Sequence, residues 1–268
     1  MAKRSWAAAL LKSEGLVQHS NQYLGTLYGI GIGPGDPELI TVKGLKYLQQ
    51  APIVAFPAGL GDKPGMAERM VQPWLYGSQV QLPLRFPYVQ DQQVLEAAWV
   101  AAAEKVWTYL SQSLDVAFVS EGDVSFYSTF SYLAQTLLQR YPQATVETIP
   151  GICSPLAAAA VLGIPLTLQG DRLAVIPSVY HADELTTALD WADVVVLMKV
   201  HSVYRQVWEI LRDRNLLERS SLVIQATGPE QKIYRNLQHS SDVELPYFSI
   251  LVVQVKTSAI GHCTIQSR

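Results

Sequence analysis

Short apolar runs bounded by Gly, Pro and Asp alternate along the chain with longer segments whose apolar residues return every three or four positions. The short runs read as strands: residues 26–32, 52–56, 80–84, 115–119 and 145–149, the last at an edge. Between them, Leu39, Val42, Leu45 and Leu48 predict the buried face of a helix, with Asp36 as its cap and Pro37 at its first position. Leu95, Ala98, Ala102, Val106 and Tyr109 predict one face of a long helix over residues 92–110. Phe130, Leu133, Leu137 and Leu138 predict another, ending at Arg140.

Pro150-Gly151-Ile152-Cys153-Ser154-Pro155 opens a second half of the same kind. A small apolar helix over 156–162 is expected to press Ala157 to Ala160 against a sheet. Strands follow at 173–176, 194–198, 222–226 and 248–255. The last is expected near an edge that needs cover. Val203, Val207, Ile210 and Leu211 mark a helix between them. The expectation is two α/β domains, 25–145 and 146–268, with a ligand cleft between them, and a weakly ordered extension over 1–24.

Composition narrows the function. Of 268 residues, 49% are hydrophobic and 16% charged, which suits a chain with a large core. The net charge of −3 argues against a general nucleic-acid binder. No apolar run is long enough to span a bilayer. Cys153 and Cys263 are far apart and no His or Cys pair has ligand spacing, so neither a disulfide framework nor a metal site is expected and a cytoplasmic setting fits.

Candidate chemistry gathers at Ser120-Glu121-Gly122-Asp123-Val124-Ser125-Phe126-Tyr127-Ser128-Thr129. This stretch joins a predicted strand to a predicted helix, at the strand end where ligands bind in open α/β sheets. Gly122 permits close backbone approach, and two carboxylates flank it. Asp123 and Ser125 are also available simply to cap the helix from Tyr127 onward. Gly31-x-Gly33 fails as a dinucleotide fingerprint, because position 36 is Asp and no acidic residue closes a second strand about 20 residues on.

The run Gly31-Ile32-Gly33-Pro34-Gly35-Asp36-Pro37-Glu38-Leu39-Ile40-Thr41 resembles the opening motif of the tetrapyrrole methylase family. Glu121-Gly122-Asp123, Pro150-Gly151-Ile152-Cys153-Ser154, Met198-Lys199 and Ala226-Thr227 match its later motifs in order, so the resemblance covers about residues 25–255. Residues 120–130 and 197–200 look most like the precorrin-2 C20-methyltransferases within it.

The resemblance implies the family's two-domain α/β fold, usually a homodimer, with S-adenosylmethionine in a cofactor cleft between the domains. It implies cofactor contacts from Pro34, Glu121, Gly122, Asp123, Phe126, Cys153, Ser154, Met198 and Ala226. One departure is Val124, where the family usually has Pro, which leaves the path of that loop open.

Methyl transfer to a nucleophilic ring carbon needs alignment more than a strong base, in keeping with the lack of a Ser-His-Asp set. Glu121, Tyr127, His181 and His201 are the groups available to remove a proton, and each has a structural reading as well. Lys63, Arg85 and Lys199 are candidate partners for the carboxylates of a tetrapyrrole. The rival readings are another corrin-ring methylase, a ribosomal-RNA ribose methylase, diphthine synthase, or a non-catalytic cofactor-binding module.

Overall fold

The computed structural model describes residues 23–59, 63–87, 89, 91–178 and 182–256. Nearly all of the expected extension over 1–24 lies outside these residues, as do His181 and Cys263. Five strands form the first sheet: β1 (Thr26–Gly31), β2 (Ile53–Pro57), β3 (Val80–Leu84), β4 (Val116–Ser120) and β5 (Thr145–Ile149). Their order is β3-β2-β4-β1-β5, and every pairing is parallel. All five carboxyl ends therefore open on one edge, and β5 is an edge strand as expected.

Alternation explains why this sheet is buried on both sides. Val116 and Phe118 of β4 enter one core cluster with Leu27, Ile53 and Ala55, while Ala117 and Val119 enter another with Ile30, Val54 and Phe56. The first cluster is covered by α3 (Gln92–Leu110) and α4 (Thr129–Arg140), the second by α1 (Val42–Gln50) and α2 (Met66–Val71). Burying a side chain such as Phe118 or Phe130 is worth roughly 1.5–3 kcal/mol.

The second sheet holds β6 (Leu173–Ile176), β7 (Val194–Met198), β8 (Ser220–Ile224), β9 (Lys232–Arg235) and β10 (Ser249–Gln254), in the order β6-β7-β10-β8-β9. Here β6 runs parallel to β7, while β10 runs antiparallel to both β7 and β8. One face packs on α6 (Ala182–Trp191) and α7 (Tyr204–Asp213), the other on α5 (Ser154–Leu162). Ala157, Ala158 and Ala159 are buried, with Ala157 and Ala158 against this sheet as expected, while Ala160 and Leu156 face solvent.

Several expectations change. The helix predicted from Pro37 is broken at Ile40 and Thr41, both extended. A 3-10 turn over Pro37–Leu39 carries the Asp36 cap, and Thr41 Oγ1 starts α1 by accepting from Gly44 N at 3.0 Å. Val42 is consequently 88% exposed; Leu48 is buried as expected, joined by Gly44, while Leu39 and Leu45 are half-buried. Leu138 is also exposed. The last strand is not near an edge: β10 lies between β7 and β8, so it gives no reason for a second copy to cover it. β9 was not anticipated. Because β5 pairs with β1 through Ile149, the first sheet extends past residue 145.

Candidate functional site

Four loops meet, three from the first sheet and one from the second. The first follows β1. Ile32 N donates to Ser120 O at 3.0 Å, and Gly33 and Gly122 exchange both backbone hydrogen bonds, at 3.2 and 2.6 Å. The loop after β4 is thereby stitched to the loop after β1. The third loop, after β5, closes on both: a Cβ on Gly151 would lie 2.3 Å from Gly122 O and 2.6 Å from the carbonyl carbon of Gly31. Only glycine at position 151 lets these backbones touch.

The fourth loop follows β8 and comes from the second half. A Cβ on Gly35 would lie 2.7 Å from Ala226 O and 2.8 Å from Gly228 N. Beside that contact, Asp36 N donates to Thr227 Oγ1 at 3.2 Å. The end of β7 reaches the same edge, since Ile250 of β10 pairs with Met198 on one side while its neighbour Ser249 pairs with Ile224 on the other. Positive φ angles concentrate here: Gly33, Gly122, Tyr127, Lys199, Gln225 and Thr227. Non-glycine residues in that region are strained by about 1–3 kcal/mol and cluster at functional sites.

The two carboxylates beside Gly122 do different work. Asp123 Oδ2 accepts from Gly151 N at 2.7 Å, and Oδ1 accepts from Ser125 N at 2.8 Å and from its hydroxyl at 2.5 Å. Burial works to raise the Asp123 pKa, but these hydrogen bonds outweigh it and hold the carboxyl below the ordinary aspartate value. Asp123 is thus a clamp between the loops after β4 and β5. It does not cap α4, and neither does Ser125. Ser128 does so, accepting from Phe130 N at 3.1 Å and sharing a buried 2.8 Å hydrogen bond with Ser120.

Glu121 Oε1 accepts from Ala67 N at 3.0 Å, in the first turn of α2. Burial pushes its carboxyl above the ordinary glutamate value; backbone hydrogen bonds and the nearby charge of Lys199 pull the other way without prevailing. Val124 is buried in the first core, which is what holds this loop down in place of a proline.

Among the other predicted residues, Pro34, Phe126, Cys153, Ser154 and Met198 are half-buried and Ala226 is buried, all on the four loops or the end of β7. Cys153 is the residue before α5 and makes no side-chain cap. Tyr127 is 51% exposed. Lys199 stands at φ +53, with Nζ 5.4 Å from the ring centroid of Tyr247.

The structure does not bring Lys63 and Arg85 into this set. Both are exposed, Lys63 in the loop between β2 and α2 and Arg85 directly after the edge strand β3. A groove of about 680 Å³ between β6 and α6 is lined by none of the predicted residues. Among the described residues no three His, Cys, Asp or Glu side chains converge as metal ligands, and no helix is long and apolar enough to cross a membrane.

Sequence reading missed Tyr247, and named Gly35 and Thr227 only inside matching motifs, not as residues that build the site. The Gly35 contact leaves no local signal, because its partner lies far along the chain. Thr227 beside Gly228 is a turn signature that was available.

Known proteins place these features. A Mycobacterium tuberculosis protein named Cobalamin biosynthesis protein CobIJ is 33% identical over 243 residues, covering 85% of this chain and 46% of that protein. The chain thus spans about half the length of that relative. A Sinorhizobium protein named Precorrin-2 C(20)-methyltransferase is 34% identical over 243 residues, covering 86% of this chain and 95% of that protein. The fold matches the uroporphyrin-III C-methyl transferase of Thermus thermophilus, solved with S-adenyl homocysteine, at a TM-score of 0.60 and 20% identity, covering 85% of this chain and 97% of that one. The family model for Tetrapyrrole (Corrin/Porphyrin) Methylases matches residues 26–239, which include every loop of the site, and the chain belongs to that family.

Proposed function

We propose that the chain transfers one methyl group from S-adenosylmethionine to C20 of precorrin-2 or cobalt-precorrin-2, in cobalamin biosynthesis. The observation that carries this reading is the near full-length match to the Sinorhizobium precorrin-2 C(20)-methyltransferase. A Salmonella typhimurium relative named for the cobalt form, 32% identical over 231 residues, is why both substrates are included.

The converging loops suit the cofactor. At Gly122 the nearest atoms to an added Cβ are Cys153 Cα and Ile152 O, both at 3.9 Å, so space opens beside a peptide carbonyl. A sulfonium and an ammonium group favour such acceptors. We assign the cofactor to Pro34, Glu121, Gly122, Asp123, Phe126, Cys153, Ser154, Met198 and Ala226, and divide the two domains after Ile149. When bound, it supplies an electrophilic methyl and a neutral thioether leaving group. The residues of the chain do the rest. Asp123 fixes the distance between the loops after β4 and β5. Glu121 holds α2 against the loop after β4. Met198 and Ala226 present apolar surface to the adenosine. Holding the reacting carbon in line is the main rate contribution. Attack needs no strong base, since the macrocycle's nitrogens make C20 nucleophilic; as the C20–CH3 bond forms and the S–CH3 bond breaks, the C20 proton is released to solvent, directly or by way of Glu121 or Tyr127. Lys199 pairs with a substrate carboxylate, and Lys63 and Arg85, outside the converging loops but after the carboxyl ends of β2 and β3, are further candidates for the macrocycle's outer carboxylates. We also propose a homodimer, on the family resemblance alone, and a cytoplasmic location.

Anaerobic incubation with each substrate and methyl-labelled cofactor tests the reading. Carbon-13 at C20 of the product is expected. Label at any other ring carbon overturns the assignment of position, and cofactor binding without turnover of either substrate overturns the enzyme.

A further inference from the structure

At the end of β7 the chain takes up a left-handed turn on a lysine. Lys199 has φ +53 and ψ 35, and its neighbour Val200 begins a 3-10 turn through Ser202. Glycine would adopt this backbone without strain. What a lysine adds is its side chain, so the local cost of about 1–2 kcal/mol is carried for the sake of the ammonium group.

One aromatic ring holds that group, and a second supports the ring. Nζ lies 5.4 Å from the ring centroid of Tyr247, and His201 packs against the same ring at a centroid distance of 5.6 Å. His201 Nδ1–H donates to Lys199 O at 3.1 Å, pinning the strained peptide from outside. Tyr247 in turn stands edge-on to Phe248 at 5.2 Å, just before β10, the strand that pairs with β7. Cation, imidazole and ring are thus fixed to two adjacent strand ends. Among the described residues Lys199 makes no ion pair with a carboxylate. Its charge favours the ionised form of half-buried Glu121, across the junction of the two halves. A positioned, half-buried cation beside a π face fits an anion attached to a flat conjugated body.

We propose that Lys199, Tyr247 and His201 form a docking edge for a carboxylated planar macrocycle: Lys199 Nζ pairs with a peripheral carboxylate, the Tyr247 ring holds Nζ in place and offers stacking surface, and His201 keeps the turn closed. This rests on the reading of the substrate as a tetrapyrrole and names the residues that read its rim. Tyr247 and His201 are positioning residues, since they act through Lys199.

The test uses the full chain and needs no methyl transfer, so it can fail separately from the C20 assignment. Binding of uroporphyrin III, a flat polycarboxylate, is followed by its fluorescence, and binding of S-adenosylhomocysteine by calorimetry. Lys199→Asn removes the charge and keeps a residue that tolerates the left-handed turn. It is expected to weaken porphyrin binding about tenfold, the size of one charge-assisted hydrogen bond, and to flatten its salt dependence. Lys199→Arg should stay close to wild type, and Tyr247→Leu should lose severalfold. S-adenosylhomocysteine affinity should be unchanged in all three. Porphyrin affinity of Lys199→Asn equal to wild type overturns the proposal. So does a parallel loss of both affinities, or a wild-type chain that does not bind the porphyrin.

Discussion

The two halves of the chain solve one problem in different ways. Loops from the first sheet approach each other through glycine: Gly31 and Gly151 touch the neighbouring backbone where no Cβ fits, and Gly122, which has room for a Cβ, supplies a positive φ. Loops from the second sheet turn just as sharply with side chains in place, at Lys199, Gln225 and Thr227, all at positive φ. The first half gives up side chains to bring backbones together, which leaves peptide groups as the surface for a ligand. The second half keeps its side chains and accepts strain.

The largest effect that would break this comparison is expected at Gly151. In Gly151→Val the new Cβ falls 2.3 Å from Gly122 O, and that neighbour is backbone that can only move with its loop. The cost should be ~3 kcal/mol or more, seen as a melting temperature lower by about 6–12 °C. Gly122→Val comes next and separates space from strain. Its Cβ would meet nothing closer than 3.9 Å, so the fold should survive with a penalty of about 1–2 kcal/mol for a branched residue at φ +71. Cofactor affinity should be largely lost all the same, because the added methyls occupy the open side of the turn. A folded Gly122→Val with unchanged affinity by calorimetry would move the cofactor elsewhere.

Asp123→Ala should cost about 1–3 kcal/mol, since Gly151 N loses its 2.7 Å acceptor in a half-buried place. It should also loosen cofactor binding by freeing the loop after β5. Asp123→Asn should recover part of the stability through its remaining carbonyl oxygen. On the other side, Thr227→Gly removes a β-branched residue from φ +66 and with it the hydroxyl that accepts from Asp36 N. Strain relief and lost hydrogen bond are of similar size, so stability should change by less than ~1 kcal/mol. Urea midpoints of the two sets compare the halves directly. Equal losses at Gly151 and Thr227 would end the distinction between them.

How far each half was legible follows from the same contrast. The first sheet announces itself because a parallel strand buried on both faces is a continuous apolar run, and Val116 to Val119 is such a run. The place of β10 was not legible: residues 250–253 are equally apolar, but apolarity cannot tell the middle of a mixed sheet from its edge. The break at Thr41 was present as a Thr cap three residues before Gly44 and was overridden by the helical spacing of Leu39, Val42 and Leu45. At the site, Gly122 and Asp123 stood out as residue types. That Asp123 spends both oxygens on the protein, one of them on Gly151, depends on a contact 28 residues away that no local pattern encodes.

The smallest effect sharpens the comparison most, because it joins the halves electrostatically. Asp123 is held below its unfolded value of about 3.9. Its contribution to stability is therefore complete above that pH and is lost as pH falls through the folded value. Glu121 has the opposite sign. Its folded pKa lies above the unfolded value of about 4.3, so between the two the native chain keeps a proton that the unfolded chain has released. Stability should fall as pH rises through that window. Glu121→Gln keeps an oxygen for Ala67 N and cannot ionise, so its stability relative to wild type should improve across the window, while the deficit of Asp123→Asn should shrink only below about pH 4. Lys199 favours the ionised form of Glu121 from the second half. In a Lys199→Asn background the Glu121 window should therefore move to higher pH and the Asp123 limb should stay where it was. Denaturant titrations over a pH series of wild type and of Glu121→Gln and Asp123→Asn, each with and without Lys199→Asn, read both at once. A Glu121 window that ignores the charge at position 199 would mean that the strained lysine and the glycine turn do not sense each other, and that the two halves meet through backbone alone.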